Sequence, residues 1–167
     1  MQKILFVCTG NTCRSPMAAA LFNRFAALEP PEFAFTAASA GLHASPGNPA
    51  SEDAIMALMD YPGSNLSGHM ASRVSCKDLE ESFLVLTMEQ SHKIQLLSAC
   101  PDEHQKVFTL KEYVYGISGD ILDPFMEGLP QYRRCAEEIS RAVERLIEKL
   151  KKANTVLTLS FQYNKID

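Results

Sequence analysis

The feature that most constrains the fold of this chain is a nearly continuous apolar run, Lys3–Cys8, which leads directly into the loop Thr9–Ser15. A short run of β-forming residues without polar alternation is typical of a strand buried on both faces of a parallel sheet. Pro16 suits the first turn of a helix, and Met17–Leu28 continues with a helical pattern. The sequence therefore begins with a predicted strand, loop and helix, the opening unit of an α/β fold.

Strands and helices alternate along the rest of the chain. Further strands are predicted at Phe33–Ala38, Ser82–Met88 and Lys106–Thr109, with a turn at Ser39–Gly41 after the first of them. The predicted helices are Asn48–Asp60, Ser75–Glu81, Ser91–Ser98, one turn at Leu110–Tyr113, and the strongly amphipathic Pro130–Lys152. Crossovers of this length predict a single-domain, three-layer α/β sandwich with a parallel sheet covered on both faces.

Length and composition limit the class of protein. The 167 residues, 46% of them hydrophobic, suffice for one core and argue against general disorder. No apolar stretch approaches the 20 or so residues of a membrane span, and a net charge of −4 does not suit a nucleic-acid surface. We expect one domain at residues 1–152 and a separate segment at 153–167, which is either a tail, an edge strand or a partner contact.

The five cysteines are odd in number and scattered, and no apolar signal segment precedes them. A disulfide framework is therefore not expected, and a reducing, cytoplasmic location is predicted. Cys-x-x-Cys spacing and histidine ligand motifs are absent from the sequence, so a structural zinc site is not expected. The cysteines are better interpreted in terms of reactivity.

The loop after the first strand has the composition of an anion site. Ligands of parallel α/β sheets bind beyond the carboxyl ends of the strands, where this loop lies. Gly10 would let successive N–H groups turn inward around a phosphate, and the following helix adds its positive end. Arg14 would bind two phosphate oxygens at once. The same donors favour Cys8 as a thiolate, with Ser15 donating to its sulfur, which predicts nucleophilic attack on phosphorus and a phosphocysteine intermediate.

A Cys-x5-Arg spacing is by itself a modest signal, because the sequence contains a second match, Cys135 to Arg141. That match lies in the middle of a predicted helix, has no glycine, and carries two glutamates where an anion would bind. We interpret Cys135 as structural. The alternative for Cys8, a small residue at a strand end, is left open by the spacing alone.

Expulsion of an oxygen or nitrogen from phosphorus requires a proton donor, and Asp123 is the best candidate. It precedes Pro124, which biases its backbone toward an extended conformation and so fixes where its carboxyl points. A nearby phosphate and thiolate would favour its protonated form. An ordinary turn aspartate before proline is the alternative interpretation.

Taken together, the segment from Cys8 to Pro16 and the pair Asp123–Pro124 resemble the low-molecular-weight protein-tyrosine phosphatase family. Intervening segments, including Phe108–Tyr113, extend the resemblance over roughly residues 2–150. The resemblance implies a four-stranded parallel sheet in flavodoxin-like order 2-1-3-4, and no metal or cofactor. It also implies phosphorylated proteins and inorganic oxyanions as partners, with no nucleic acid and no membrane.

Residue roles follow from the same resemblance. It implies Cys8 as nucleophile, Arg14 as phosphate clamp, and Asp123 as general acid and then base. The substrate site would comprise Thr9, Gly10, Asn11, Thr12, Cys13, Ser15 and Phe125, supported by Asn11 together with Ser39 and His69. The resemblance further implies that Cys13 can form a reversible disulfide with the nucleophile.

Two positions differ from the tyrosine-specific members of the family. Thr12 stands where those members carry a bulky aliphatic residue, and Phe125 stands where tandem tyrosines often begin. This combination is similar to the bacterial protein-arginine phosphatases of the same family. Thr12 leaves room and a hydroxyl for a guanidinium attached to phosphorus, and Phe125 can stack on it. We therefore expect phosphoarginine as substrate, with phosphotyrosine as the alternative.

Two other functions compete with this interpretation. Arsenate reduction would use the same anion loop, but it needs two further cysteines in relay, and Cys76 has no near neighbour in sequence because Cys100 is 24 positions away. A non-catalytic phosphate-binding module would need neither Cys8 nor Asp123. The joint presence of these two residues favours the phosphatase.

Overall fold

The computed structural model describes the backbone of residues 1–163 and the side chains of residues 1–153. Four parallel strands form one sheet in the order β2-β1-β3-β4, which confirms the predicted flavodoxin-like order. The strands are β1 (Gln2–Cys8), β2 (Phe35–Gly41), β3 (Leu84–Thr87) and β4 (Val107–Thr109). The helices are α1 (Arg14–Ala26), α2 (Glu52–Leu58), α3 (Cys76–Glu80), α4 (Gln90–Ala99), α5 (Leu110–Tyr115) and α6 (Leu129–Tyr163), with a 3₁₀ helix at Pro101–Lys106.

The sheet is buried on both faces, as the apolar run of β1 predicts. Ile4 and Phe6 point into the larger core, which α1 and α6 cover. Leu5 and Val7 point to the opposite side and pack against α3 and α4. Because successive side chains of a strand alternate between faces, a strand covered on both sides must be apolar at every position. The three-layer α/β sandwich is thus confirmed.

The loop that follows Cys8 lies at the point where the strand order reverses. The chain passes from β1 to β2 on one side and then to β3 on the other side of β1. Cys8 is in register with Gly41 of β2, and Val7 is in register with Thr87 of β3. Segments that leave the carboxyl ends of these three strands therefore converge on one place.

Two predicted boundaries near this point are wrong, the start of α1 and the end of β2. Helix α1 begins at Arg14 rather than at Met17, because Pro16 is tolerated in the first turn, where its missing N–H has no intrahelical acceptor. The segment Ser39–Gly41 belongs to β2 instead of forming a turn, since it pairs with Phe6–Cys8. Both differences place residues of the candidate site on regular elements of the sandwich.

Helix α2 is shorter than the predicted Asn48–Asp60. The Ser51 hydroxyl accepts a hydrogen bond from the Ala54 N–H at 3.3 Å, and this N-cap fixes the start of the helix at Glu52. Ser51 also donates its backbone N–H to the carbonyl of Thr12 at 2.9 Å. The beginning of α2 is thereby attached to the candidate phosphate loop.

Helix α6 extends beyond the predicted Pro130–Lys152. Residues 153–163 continue the helix, so the edge strand that the sequence left open is wrong for this part of the tail. Residues 164–167 of the predicted tail lie outside the described residues. Within the part of the chain that the structure describes, no helix combines the length and apolar character needed to cross a bilayer.

The expectation of a protein without disulfides is wrong, because Cys76 and Cys100 form one, with their Cα atoms 5.6 Å apart. Cys76 is the first residue of α3 and Cys100 is the C-cap of α4. These two helices pack on the same face of the sheet, which brings together residues that are 24 positions apart. Sequence spacing does not reveal this packing. The other three cysteines, Cys8, Cys13 and Cys135, are free and buried.

Candidate active site

The loop between β1 and α1 forms a buried cup. Cys8 is the last residue of β1, and Arg14 is the first residue of α1. Asn11 and Ser15 are completely buried, and Cys8 and Arg14 are nearly so. Buried polar side chains require partners, and the partners found here define the geometry of the site.

The sulfur of Cys8 faces two hydrogen-bond donors. Its Sγ lies 2.9 Å from the Ser15 hydroxyl and 3.3 Å from the backbone N–H of Asn11. Ser15 itself accepts a hydrogen bond from the Asn11 amide at 2.9 Å, and its hydroxyl proton can point either to the sulfur or to the Ala40 carbonyl, which is 3.3 Å away. These donors and the adjacent N-terminus of α1 stabilise negative charge on sulfur.

The strained backbone position of the loop is Asn11 rather than Gly10. Asn11 has a φ of 56°, in the left-handed region. Gly10 does not have a positive φ, and a Cβ placed there would meet only the Thr12 hydroxyl, at 3.6 Å. The expected role of Gly10 as the conformationally permissive residue is therefore wrong. Asparagine tolerates the left-handed region better than most residues, and this turn directs the Asn11 N–H at the Cys8 sulfur.

Asn11 is held by hydrogen bonds from several elements. Its amide donates to the Ser39 hydroxyl at 2.9 Å, and its side-chain oxygen accepts from the Ser72 N–H at 2.9 Å. Its backbone carbonyl accepts from His69 Nε2 at 2.7 Å. Since a carbonyl can only accept, His69 carries its proton on Nε2. The predicted support residues Ser39 and His69 thus both contact the loop at Asn11, and Ser72 was not foreseen.

Gly41 of β2 lies against the same loop. A Cβ at this position would be 2.7 Å from the Thr9 carbonyl oxygen and 2.9 Å from the Asn11 nitrogen. Both neighbours are backbone atoms, so they cannot rotate away as a side chain would. Only glycine permits this close approach of β2 to the loop.

The Arg14 guanidinium is buried among acceptors. Its Nη1 donates to Glu89 at 2.5 Å and to the carbonyl of Ile121 at 2.8 Å, and its Nη2 donates to Asp123 at 3.0 Å. Burial alone would raise the pKa of Glu89, but the hydrogen bond and the charge of Arg14 outweigh it and hold that pKa below its ordinary value. The hydrogen bond from Nη1 to Glu89 therefore fixes the orientation of the planar Arg14 guanidinium.

Asp123 is brought to the loop from a distant part of the chain. One carboxylate oxygen contacts Arg14, and the other accepts the N–H of Phe125 at 3.2 Å. The carboxyl group is partly exposed, and Phe125 beside it is 67% exposed. An exposed ring next to a partly exposed carboxyl gives this edge of the cup both an apolar wall and a group that can exchange protons.

Two buried thiols, Cys13 and Cys135, lie near Cys8. Burial, together with the negative charge that Cys135 and Cys8 can carry, raises the pKa of Cys13 far above its ordinary value. Burial likewise raises the pKa of Cys135 to about 12. Both groups are neutral thiols at physiological pH and are poor nucleophiles in that form. Cys135 lies within α6, where its Sγ is 3.8 Å from the Leu122 carbonyl.

Besides Ser72, two further residues of the site were not foreseen, Glu89 and His92. Glu89 is the N-cap of α4 and holds Arg14, while His92 in the first turn of α4 contacts the Thr9 hydroxyl at 2.9 Å. A signal was available, because both residues follow directly after a strand that was correctly expected to be buried. Carboxyl ends of parallel strands meet at one edge, so polar residues just after β3 are candidates for the site.

The described side chains offer no ready metal site, since within residues 1–153 no three His, Cys, Asp or Glu residues group as ligands would. The arrangement instead combines a sulfur nucleophile, inward-facing donors, a fixed guanidinium and an adjacent carboxyl. Such a set can bind a tetrahedral oxyanion, attack its centre and protonate a leaving group.

Comparison with known proteins places this geometry in a familiar context. The family model described as low molecular weight phosphotyrosine protein phosphatase matches residues 3–156. A protein-arginine-phosphatase of Bacillus subtilis is 41% identical over 149 residues, which are 89% of this chain and 97% of that protein. A low molecular weight protein-tyrosine-phosphatase PtpB of Staphylococcus haemolyticus is 37% identical over 146 residues, 87% of this chain and 97% of that protein.

Solved structures agree with the sequence comparison. The YwlE arginine phosphatase, in a mutant with a phosphorylated active-site serine, superposes with a TM-score of 0.85 and 40% identity, covering 90% of this chain and 97% of that one. Residues 3–156, which the family model matches, include the phosphate loop, nearly all of the four strands and most of α6. With the family model covering nearly the whole chain, the protein belongs to the low molecular weight phosphotyrosine protein phosphatase family.

Proposed function

We propose that this protein is a metal-independent protein phosphatase that removes phosphoryl groups from arginine side chains through a phosphocysteine at Cys8. The observation that carries the proposal is the buried cup in which the Cys8 sulfur faces the Ser15 hydroxyl at 2.9 Å and the Asn11 N–H at 3.3 Å. Arg14 closes the cup and contacts Asp123 at 3.0 Å. The proposed nucleophile, clamp and acid are therefore linked through the loop and the Arg14 side chain.

In the first step the Cys8 thiolate attacks phosphorus, and a P–S bond forms as the P–N bond to the arginine breaks. Asp123, in its protonated form, gives its proton to the departing guanidine nitrogen. Arg14 and the loop N–H groups bind the phosphoryl oxygens throughout, which stabilises the charge that develops on them. The N-terminus of α1 contributes to the same field.

In the second step the Asp123 carboxylate takes a proton from a water molecule that attacks the phosphocysteine. The P–S bond breaks, inorganic phosphate forms, and the sulfur leaves as a thiolate that Ser15 stabilises by hydrogen bonding. The sequence of the two steps restores Asp123 to its protonated form. The relative with a phosphorylated active-site serine supports a covalent phosphoenzyme at this position of the loop.

Arginine rather than tyrosine is proposed because of Thr12 and the name of the Bacillus subtilis relative. Thr12 is a small residue of the loop, and its backbone carbonyl accepts the Ser51 N–H at 2.9 Å, which fixes the backbone at this position. Phosphotyrosine is the second candidate, supported by the family itself and by the staphylococcal relative. Phe125 can stack on either a guanidinium or a phenol ring.

Several wider assignments belong to the same proposal. Residues 1–152 would form the catalytic domain, with residues 153–167 as an appended segment. Phosphorylated proteins would be the substrates, inorganic phosphate and related oxyanions would compete for the cup, and the location would be cytoplasmic. Thr9, Gly10, Asn11, Cys13 and Ser15 would bind the phosphoryl group alongside Cys8 and Arg14.

The test is a comparison of kcat/KM on two peptides that differ only in carrying phosphoarginine or phosphotyrosine, assayed with a metal chelator present. We expect turnover of both peptides with the higher kcat/KM on phosphoarginine, and no turnover by Cys8→Ser, which should still bind phosphate. A higher value on phosphotyrosine would assign the second candidate. Appreciable turnover by Cys8→Ser would rule out the covalent route.

A further inference from the structure

His92 is a buried side chain that the proposed reaction does not use. Its ring is 3% exposed, and burial holds its pKa below the ordinary value of 6.5, so it is neutral near pH 7. Its Nδ1 is buried and has no hydrogen-bond partner among the described residues. Burying a polar ring with one nitrogen unsatisfied costs free energy. The other contacts of the His92 ring must therefore explain why a histidine lies here.

Among the described residues, the one hydrogen bond of the His92 side chain goes to the phosphate loop. Its Nε2 lies 2.9 Å from the hydroxyl of Thr9, the residue next to the nucleophile. The same Nε2 is 3.8 Å from a carboxylate oxygen of Glu89. A carboxylate on that side favours the tautomer with the proton on Nε2, which then donates to Thr9.

Thr9 is held from two directions. Its carbonyl accepts the N–H of His43 at 2.9 Å and lies against Gly41 of β2, while its hydroxyl is bound by His92 from α4. Thr9 itself is exposed at the mouth of the cup. An exposed residue of a loop needs such contacts to keep its backbone N–H in a fixed direction.

We propose that His92 is a positioning residue of the phosphate loop, which through the Thr9 hydroxyl fixes the first turn after the nucleophile and so increases affinity for the phosphoryl group. The proposal rests on the proposed function, because that function makes the loop a phosphate site. Its readout is nevertheless oxyanion binding, which does not depend on the identity of the substrate. Glu89 on the same turn holds Arg14, so α4 supports the cup at two points.

The experiment compares His92→Leu, His92→Gln, Thr9→Val and the double variant His92→Leu/Thr9→Val. Gln places a neutral donor at a reach similar to that of Nε2, and Val keeps the branched shape of Thr without its hydroxyl. His104→Leu is the matched control, because His104 is exposed on the 3₁₀ helix, away from the loop. The measurements are calorimetric binding of orthovanadate, KM and kcat on p-nitrophenyl phosphate, and Tm.

We expect His92→Leu and Thr9→Val each to weaken vanadate binding and raise KM about five- to tenfold, the effect of losing one net hydrogen bond, with a smaller change in kcat. His92→Gln should recover most of the loss, and the double variant should be no worse than His92→Leu, because both changes remove the same contact. His104→Leu should leave vanadate affinity unchanged.

The proposal is overturned if His92→Leu lowers Tm but binds vanadate within twofold of the unmodified protein, since His92 would then act on stability alone. It is also overturned if the two single effects multiply in the double variant. If His92→Leu does not fold, the proposal requires that Thr9→Val lose affinity for vanadate to the expected extent. It also requires that His92→Gln keep most of that affinity. If the unmodified protein binds vanadate but hydrolyses neither phosphopeptide, the proposed function is wrong. The role of His92 can still be tested in that case, because vanadate affinity can still be compared among the variants.

Discussion

Glu89 Oε1 lies 2.5 Å from Nη1 of Arg14. The cation that would clamp the phosphate is therefore itself held by a carboxylate at the N-cap of α4. The Arg14 side chain is almost fully buried, whereas that of Glu89 is about one quarter exposed. A buried guanidinium that loses such a partner changes position or remains uncompensated. The relationship makes Glu89 part of the geometry of the clamp.

Replacement of Glu89 by alanine should therefore lower kcat/KM on p-nitrophenyl phosphate by about tenfold or more, the range for a lost charge-assisted hydrogen bond. Steady-state kinetics measure the effect, and Glu144→Ala on the exposed face of α6 is the control. Equal kinetics in the two variants would mean that Arg14 is fixed well enough by Ile121 and Asp123.

Asp123→Asn should slow reactions in proportion to the difficulty of the leaving group. On phenyl phosphate, whose leaving group needs a proton, we expect a loss of about 10²-fold or more in kcat/KM, and a much smaller loss on p-nitrophenyl phosphate. Asp120→Asn is the control from the same loop, since an amide oxygen can still accept the N–H of Gln90. Similar losses on both substrates would remove the acid role from Asp123.

Thr12→Ile should shift the ratio of kcat/KM from phosphoarginine toward phosphotyrosine peptides. The larger aliphatic side chain would fill the space and remove the hydroxyl that suit a guanidinium. Matched peptides measure the ratio, and Thr12→Val separates the loss of the hydroxyl from the added volume. An unchanged ratio in both variants would show that Thr12 does not set the preference.

Gly41→Ala tests how closely β2 must approach the loop. The added Cβ would lie 2.7 Å from the Thr9 carbonyl oxygen, so the backbone has to move. We expect a loss of about 1–3 kcal/mol in the free energy of unfolding, as for other overpacked sites, together with an increased KM. Gly68→Ala is the control, because a Cβ there meets no atom within 4 Å. A variant as stable and as active as the control would show that the loop adjusts freely.

His92 should also make stability depend on pH. Burial holds its pKa in the folded protein below the ordinary 6.5, so between these two values the unfolded chain binds more protons than the folded chain. The stability from the neutral ring is present above pH 6.5 and is lost as the pH falls through the lower, folded-state pKa. Over that window the slope reaches at most about 1.4 kcal/mol per pH unit.

Melting curves between pH 7 and pH 5 measure this effect. The Tm of the unmodified protein should fall more steeply over that range than the Tm of His92→Gln, in which nothing titrates at this position. Glu89 also has a lowered pKa, but its contribution begins below its ordinary value of 4.5 and so lies outside the range. Parallel curves would show that His92 is protonated alike in the folded and unfolded protein.

The part of the site that could be predicted from the sequence is the part encoded in one contiguous segment. Cys8, Arg14 and Ser15 are fixed relative to one another by a strand end, a short loop and a helix start, which are local features. Asp123 was identified through its proline neighbour and the resemblance. The burial of β1 on both faces followed from the apolar pattern, whereas the order of the strands followed from the family resemblance.

The remaining features depend on contacts between distant segments. Glu89 and Gly41 matter only because β3 and β2 lie beside β1, and neither position stands out in its own segment. The Cys76–Cys100 disulfide depends on how α3 and α4 pack, which spacing does not encode. Glycine was expected to adopt the unusual backbone angle at position 10, but Asn11 is the residue in the left-handed region. Hydrogen bonds between Asn11 and Ser39, Ser72 and His69 stabilise that turn.

Arg14 ends the phosphate loop and at the same time begins α1, a helix that packs against both the sheet and α6. The distance between the Arg14 guanidinium and the Cys8 sulfur therefore depends on the orientation of a whole helix and not on the loop alone. Substitutions in the buried contact between α1 and α6, remote from any substrate, would change the orientation of α1 and so alter turnover. In this sense turnover would depend on the whole helical layer that α1 and α6 form on one face of the sheet.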